Sequence, residues 1–169
     1  MATDVKQAHV NESGFLVLGR NRVRALSFVG TSTAGTLAVF DTATAPVTSG
    51  VTYGRAGTTV TVTKTAHGLS TGDVVGIHFE AFPSATDGNY AITVTGANTF
   101  TLTDINTGTI TGSPAAIYVS GGGSWLLTYE SSATDIFNNS PDIPEDGVLA
   151  IRGVYAYMDN IAVVNIFYG

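Results

Sequence analysis

Thr58 to Thr65 reads Thr-Thr-Val-Thr-Val-Thr-Lys-Thr. The apolar positions recur every second residue, which places Val60 and Val62 on one face of a strand and the threonines on the other. Val and Thr are branched at Cβ and suit a pleated, half-buried surface. Reading outward, Ala66 to Asp73 (Ala-His-Gly-Leu-Ser-Thr-Gly-Asp) is a turn, with Gly68 and Gly72 free to take positive φ and Asp73 able to bond the turn backbone. Val74 to Phe79 is the next strand, and Phe82 to Gly88 a loop. Asn89 to Thr95 alternates through Tyr90, Ile92 and Val94. Gly96-Ala97-Asn98 is a hairpin turn into Thr99 to Thr103, which carries Phe100 and Leu102 inward. Asp104 to Pro114 reads as a loop, and Ala115 to Val119 as a returning strand.

The same texture continues on both sides. Phe15-Leu16-Val17-Leu18 is a short apolar strand or anchor. Arg22 to Val29 is a strand whose inward face the alternation leaves open, and Thr36 to Asp41 places Leu37 and Val39 together. After Gly121 to Gly123 come strands at Trp125 to Glu130, Gly147 to Arg152, Val154 to Met158 and Ala162 to Tyr168. Ser131 to Asp146 is a long loop, and Asp159-Asn160 turns the last hairpin. No segment carries a helical period, so the fold class is all-β. The Thr/Ala/Pro/Gly passage at 42–54 and the triple glycine punctuate the chain twice. They favour an antiparallel β-sandwich or jelly-roll-like host domain with a small inserted β-barrel-like domain over one continuous sandwich of ten or more strands. The expected bounds are an N-terminal arm at 1–19, host segments at 20–50 and 120–169, and the insert at 51–119.

Charged residues are only 12% of the 169, against 44% hydrophobic. So sparse a surface charge suits packing against copies of the chain or a partner. Thirteen acidic residues against seven basic give a net charge of -6, which makes the whole chain a poor match for nucleic acid. Arg20, Arg22 and Arg24 alternate, so on a strand all three face one way, as a carboxylate- or phosphate-binding stripe or as a guarded edge. With no cysteine there is no disulfide, thiolate site or cysteine nucleophile. No apolar run reaches membrane-spanning length. Met1 to Val10 lacks the apolar core of a secretion signal, so a cytoplasmic product, or one assembled in a host cytoplasm, is expected.

Catalytic patterns are missing: no nucleophile elbow, phosphate-binding loop or dinucleotide fingerprint. His67, His78, Asp73 and Asp87 have no metal-ligand spacing, and neither Asp87-Gly88-Asn89 nor Asp104-Ile105-Asn106 has the acidic series and closing Glu of a calcium loop. Glu80, Asp87 and Glu130 show no spacing that would pair them as a glycosidase acid and base. No catalytic residue, cofactor or metal is therefore expected. The expected contact residues are Phe15 and Leu16, the three arginines, Phe137 in the long loop, and Tyr155 with Tyr157 on one strand face.

The outer segments in order, from Arg22-Val-Arg-Ala-Leu through Ile143-Pro-Glu-Asp-Gly-Val-Leu to Val163-Val-Asn-Ile-Phe-Tyr-Gly, resemble a family of small virion proteins of tailed phages of marine and cyanobacterial hosts. The middle segment is similar to a β-module common in phage structural proteins. The likeness lies in His67-Gly-Leu-Ser-Thr-Gly-Asp (His-Gly-Leu-x-x-Gly-Asp), Asp87-Gly-Asn-Tyr and Ala97-Asn-Thr-Phe-Thr-Leu. The resemblance implies a non-enzymatic virion structural protein. The leading expectation is a capsid decoration or cement protein on the head exterior, bound to the major capsid protein or other virion proteins. It would be homo-oligomeric, with a trimer as the first guess, and its N-terminal arm would reach a neighbour. The alternatives are a tail, collar or neck component, and a glycan-binding adhesin module whose partner is a host-surface glycan.

Overall fold

The structure, a computed structural model, describes residues 4–80, 84–134, 136, 138–144 and 146–169. The chain is all-β and sandwich-like, and it divides into two compact units, Met1–Ala45 with Leu126–Gly169, and Pro46–Trp125. In chain order the first strands are β1 (Lys6–Val10), β2 (Gly14–Leu18), β3 (Asn21–Gly30) and β4 (Gly35–Asp41). Next come β5 (Val51–Lys64), β6 (Val74–Phe79), β7 (Gly88–Ala91), β8 (Thr93–Gly96), β9 (Thr99–Ile110) and β10 (Ala116–Val119). The chain closes with β11 (Ser124–Ser131), β12 (Asn138–Asn139), β13 (Val148–Ala150), β14 (Gly153–Asp159) and β15 (Ile161–Tyr168).

The first unit pairs two sheets, β1-β15-β3 with β12 and β13 along the far edge of β3, and β11-β4-β14-β2. Between them lie Leu26 and Phe28 of β3, Leu37 and Val39 of β4, Val154 and Ala156 of β14, and Val164 and Ile166 of β15. The sequence left the inward face of β3 open because the alternation is broken. A bulge between Phe167 and Tyr168 of β15 sets the register against Val23 and Ala25, so Val23 points in, Arg24 and Ala25 are both exposed, and Leu26 points in again. The expected N-terminal arm is corrected: β1 adds to β15 from Lys6↔Tyr168 to Val10↔Val164, and β2 adds to β14. Ala8, Val10 and Leu16 face the unit's own core, so the segment gains more by completing both sheets than by remaining extended.

The second unit holds two three-stranded sheets, β10-β6-β7 and β5-β9-β8, in place of the expected barrel-like closure. Val60, Val62, Val75, Ile77, Phe100 and Tyr118 form its core. The stretch Asn89 to Thr95 is not one strand. At Ile92 the chain passes from one sheet to the other, with Ile92 donating to Asp73 O (3.0 Å) and accepting from Gly72 N–H (2.9 Å). The expected loop from Asp104 is also corrected: after an excursion at 104–107, β9 pairs again with β5, Gly108↔Gly57 to Ile110↔Arg55.

Candidate functional site

The segment from His67 to Asp73 in the second unit builds a turn. Gly68 (φ 68) and Gly72 (φ 95) take the left-handed conformations that favour glycine. His67 Nδ1 accepts from Leu69 N–H (3.0 Å), which leaves Nε2–H to donate to Gly96 O (2.9 Å). One imidazole tautomer thus ties this turn to the β8–β9 hairpin. Asp73 accepts from Ser70 N–H at 2.8 Å, and Leu69 packs on the core. Ala66 N–H donates to Asn98 Oδ1 (2.8 Å), a second tie to that hairpin. An open groove of about 350 Å³, mostly apolar, lies over His67, Leu69, Val94 and Ala97.

The second motif segment is used in the same way. The Asp87 carboxylate accepts from His78 Nδ1 (2.7 Å) and from Phe79 N–H (2.8 Å). The Asn89 side chain exchanges two hydrogen bonds with the Trp125 backbone, accepting from N–H at 2.7 Å and donating to O at 3.0 Å. Tyr90 Oη–H donates to Thr86 O at 2.6 Å, and Tyr53 Oη–H to Glu80 O at 2.7 Å. Burial first, then the charges of Asp104 and Asp87, push the Tyr90 phenol up to about 12.

Beneath this loop lies a buried ion pair, Arg55 with Asp104. Asp104 also accepts from Thr86 N–H (3.4 Å) and Asn106 N–H (3.2 Å). Burial alone would raise the Asp104 carboxyl, but the hydrogen bonds from Thr86, Arg55 and Asn106 outweigh it and hold it below its ordinary value. Both residues were legible by parity: Arg55 follows Val51 and Tyr53 on the inward face of β5, and Asp104 follows Phe100 and Leu102 on β9. Two readings hid the pair: the passage expected at 42–54 is in its last part the start of β5, which runs from Val51, and Asp104 reads in sequence as a loop residue.

The first unit has a comparable device. The buried Asp41 carboxylate accepts N–H bonds from Ile151 (2.9 Å), Arg152 (2.7 Å) and Gly153 (3.1 Å). Sequence reading placed Asp41 only as the end of a strand, since nothing local shows three donors arriving from residues 151–153.

The expected contact residues have separate fates. Leu16 is buried in the unit's core, and Tyr155 is buried edge-on against Phe15, ring centroids 5.0 Å apart. Leu16 and Tyr155 are therefore structural, Phe15 packs on one of them, and Tyr157 is half-buried. Phe137 lies outside the described residues. The three arginines do not share a strand face: Arg20 precedes β3 in a bend, Arg22 Nη1 donates to Asp146 O (2.6 Å) and Gly147 O (3.3 Å), and Arg24 is exposed at the bulge. A second groove, of about 260 Å³, runs over Phe28, Tyr129, Asn139 and Pro141, where Tyr129 stacks on Phe28 with centroids 6.0 Å apart. Among the described residues, no three His, Asp or Glu side chains gather as a metal site requires.

No family model, curated protein or solved structure matches this chain.

Proposed function

We propose that the chain is a structural protein of a tailed-phage virion, decorating the head exterior through its first unit and presenting its second. The observation that carries this reading is the use made of the module's signature side chains. His67, Asp73, Asp87 and Asn89 all bond the unit's own turns and strand ends, which is the work of a scaffold. The virion assignment rests on the family resemblance, and the head exterior is the leading choice among the virion positions that the particle test below separates. Binding only the assembled shell would stabilise it by mass action, and repetition over a symmetric lattice would add avidity. Self-association, a trimer in the first instance, belongs to the same proposal and is read by light scattering.

The test is cryo-electron microscopy of the purified source particle with a copy count by mass spectrometry. Density repeated over the shell supports decoration. Density at one vertex moves the chain to the tail, collar or neck, and absence from the particle removes the virion reading. The groove beside Tyr129 favours a second reading, a glycan-binding module, because an aromatic ring next to polar groups suits a sugar face. That reading requires saturable binding on a glycan array, lost in Tyr129→Ala.

A further inference from the structure

Two tight turns of the first unit lie side by side. Gly19 N–H donates to Arg152 O at 2.8 Å, and Gly153 pairs with Leu18. Asn21 Nδ2 donates to the Leu18 and Gly19 carbonyls (3.1 and 3.0 Å), while Asp41 holds the other turn through the N–H groups of residues 151–153. The approach is close enough that a Cβ at Gly153 would stand 2.9 Å from both Thr42 O and Val17 O. The backbone of this double turn is therefore held in place before any partner arrives.

Its side chains face water in an unusual combination. Leu18 is 64% exposed and Ile151 57%, the two largest exposures among the unit's described large apolar residues. Arg20 is exposed and Arg152 half-exposed beside them, with Arg24 exposed further along β3. None of these three arginines forms an ion pair or side-chain hydrogen bond among the described residues, in a chain with thirteen carboxylates and seven cations. An aliphatic centre on a rigid support, rimmed by arginine, matches the anatomy of a protein–protein anchor.

We infer that the double turn formed by residues 18–20 and 151–153 is a docking surface for an acidic protein surface. Charge complementarity selects the occupant: the unpaired guanidinium groups attract carboxylates, and the leucine and isoleucine bury apolar groups between them. Nucleic acid fits less well, because phosphate recognition needs a wide positive field, whereas here a few guanidinium groups border exposed leucine and isoleucine side chains that a sugar-phosphate backbone would leave uncovered. The inference rests on the decoration reading in one respect only, that the acidic surface belongs to a virion partner.

The full chain is titrated at low salt against a random copolymer of glutamate and tyrosine, with polyglutamate, duplex DNA and phosphatidylglycerol vesicles in parallel. Saturable binding is expected to the copolymer, tighter than to polyglutamate, and about tenfold weaker for the double variant Arg20→Glu/Arg152→Glu. Leu18→Ser should remove the preference for the copolymer over polyglutamate. If the double variant loses its melting transition, Leu18→Ser and Arg20→Gln, both at exposed side chains, carry the test. Absent binding, undiminished binding by the variants, or tighter binding to DNA or vesicles would overturn the assignment. A chain missing from purified particles would remove decoration while leaving copolymer binding intact. A chain on the particle without copolymer binding would remove this surface alone.

Discussion

At the scale of single residues, stability depends on carboxylates that have no solvent to fall back on. Asp104 and Arg55 are buried as a pair, so Asp104→Asn strands a guanidinium and should cost about 3–5 kcal/mol, read as a shift in the denaturant midpoint of the second unit. The pair also sets an acid limb. The folded Asp104 carboxyl lies below its ordinary value, so its contribution is complete above the unfolded pKa of about 3.9 and is lost as pH falls through the lower folded value. Unfolding free energy measured across that range should drop in the native chain and lose this component in Asp104→Asn. His67 is expected as the Nε2–H tautomer in nitrogen NMR spectra, since Nδ1 is occupied as an acceptor, and His67→Ala should cost about 1–3 kcal/mol. A spectrum of the Nδ1–H form would contradict the bridge.

Elements are governed here by where the alternation slips. Val51, Tyr53 and Arg55 point inward on β5, yet so do Val60 and Val62, five residues on from Arg55 and of opposite parity. The slip lies at Gly57, φ 63, opposite the 104–107 excursion of β9, and a glycine there takes a backbone conformation that a side chain strains. The alternation around Val60 and Val62 was readable because a β period needs only neighbours in sequence. The slip, the bulge in β3 and the change of sheet at Ile92 were not, because each depends on which strand lies alongside. Close approach works at the same scale. A Cβ on Gly76 would sit 2.1 Å from Trp125 N, in the space where Asn89 ties down the incoming strand. Gly76→Ala should therefore lower the melting temperature of the second unit by more than Gly121→Ala. Gly121 has open space around it, and there the cost is confined to its positive φ of 65.

For the whole molecule, the division into Met1–Ala45 with Leu126–Gly169 and Pro46–Trp125 gives each unit its own core, Phe28 and Val164 in one, Ile77 and Phe100 in the other. A chain with Ala45 joined directly to Leu126 is expected to give dispersed amide spectra and one cooperative transition, as is residues 46–125 alone. An aggregated product from either would mean that the cores depend on each other. What the sequence determined by itself was local: the all-β class, most strands, the turns at Gly68, Gly72 and Asn160, and the inward residues of β4, because period, branching at Cβ and positive φ are properties of adjacent residues. Only the tertiary structure decided that the N-terminal segment completes two sheets, that Arg55 meets Asp104, that Asp41 gathers three N–H groups from residues 151–153, and that Leu18 and Ile151 share one exposed turn pair. The physical reason is that burial, desolvation and strand register are fixed between segments distant in sequence, where no local pattern records them.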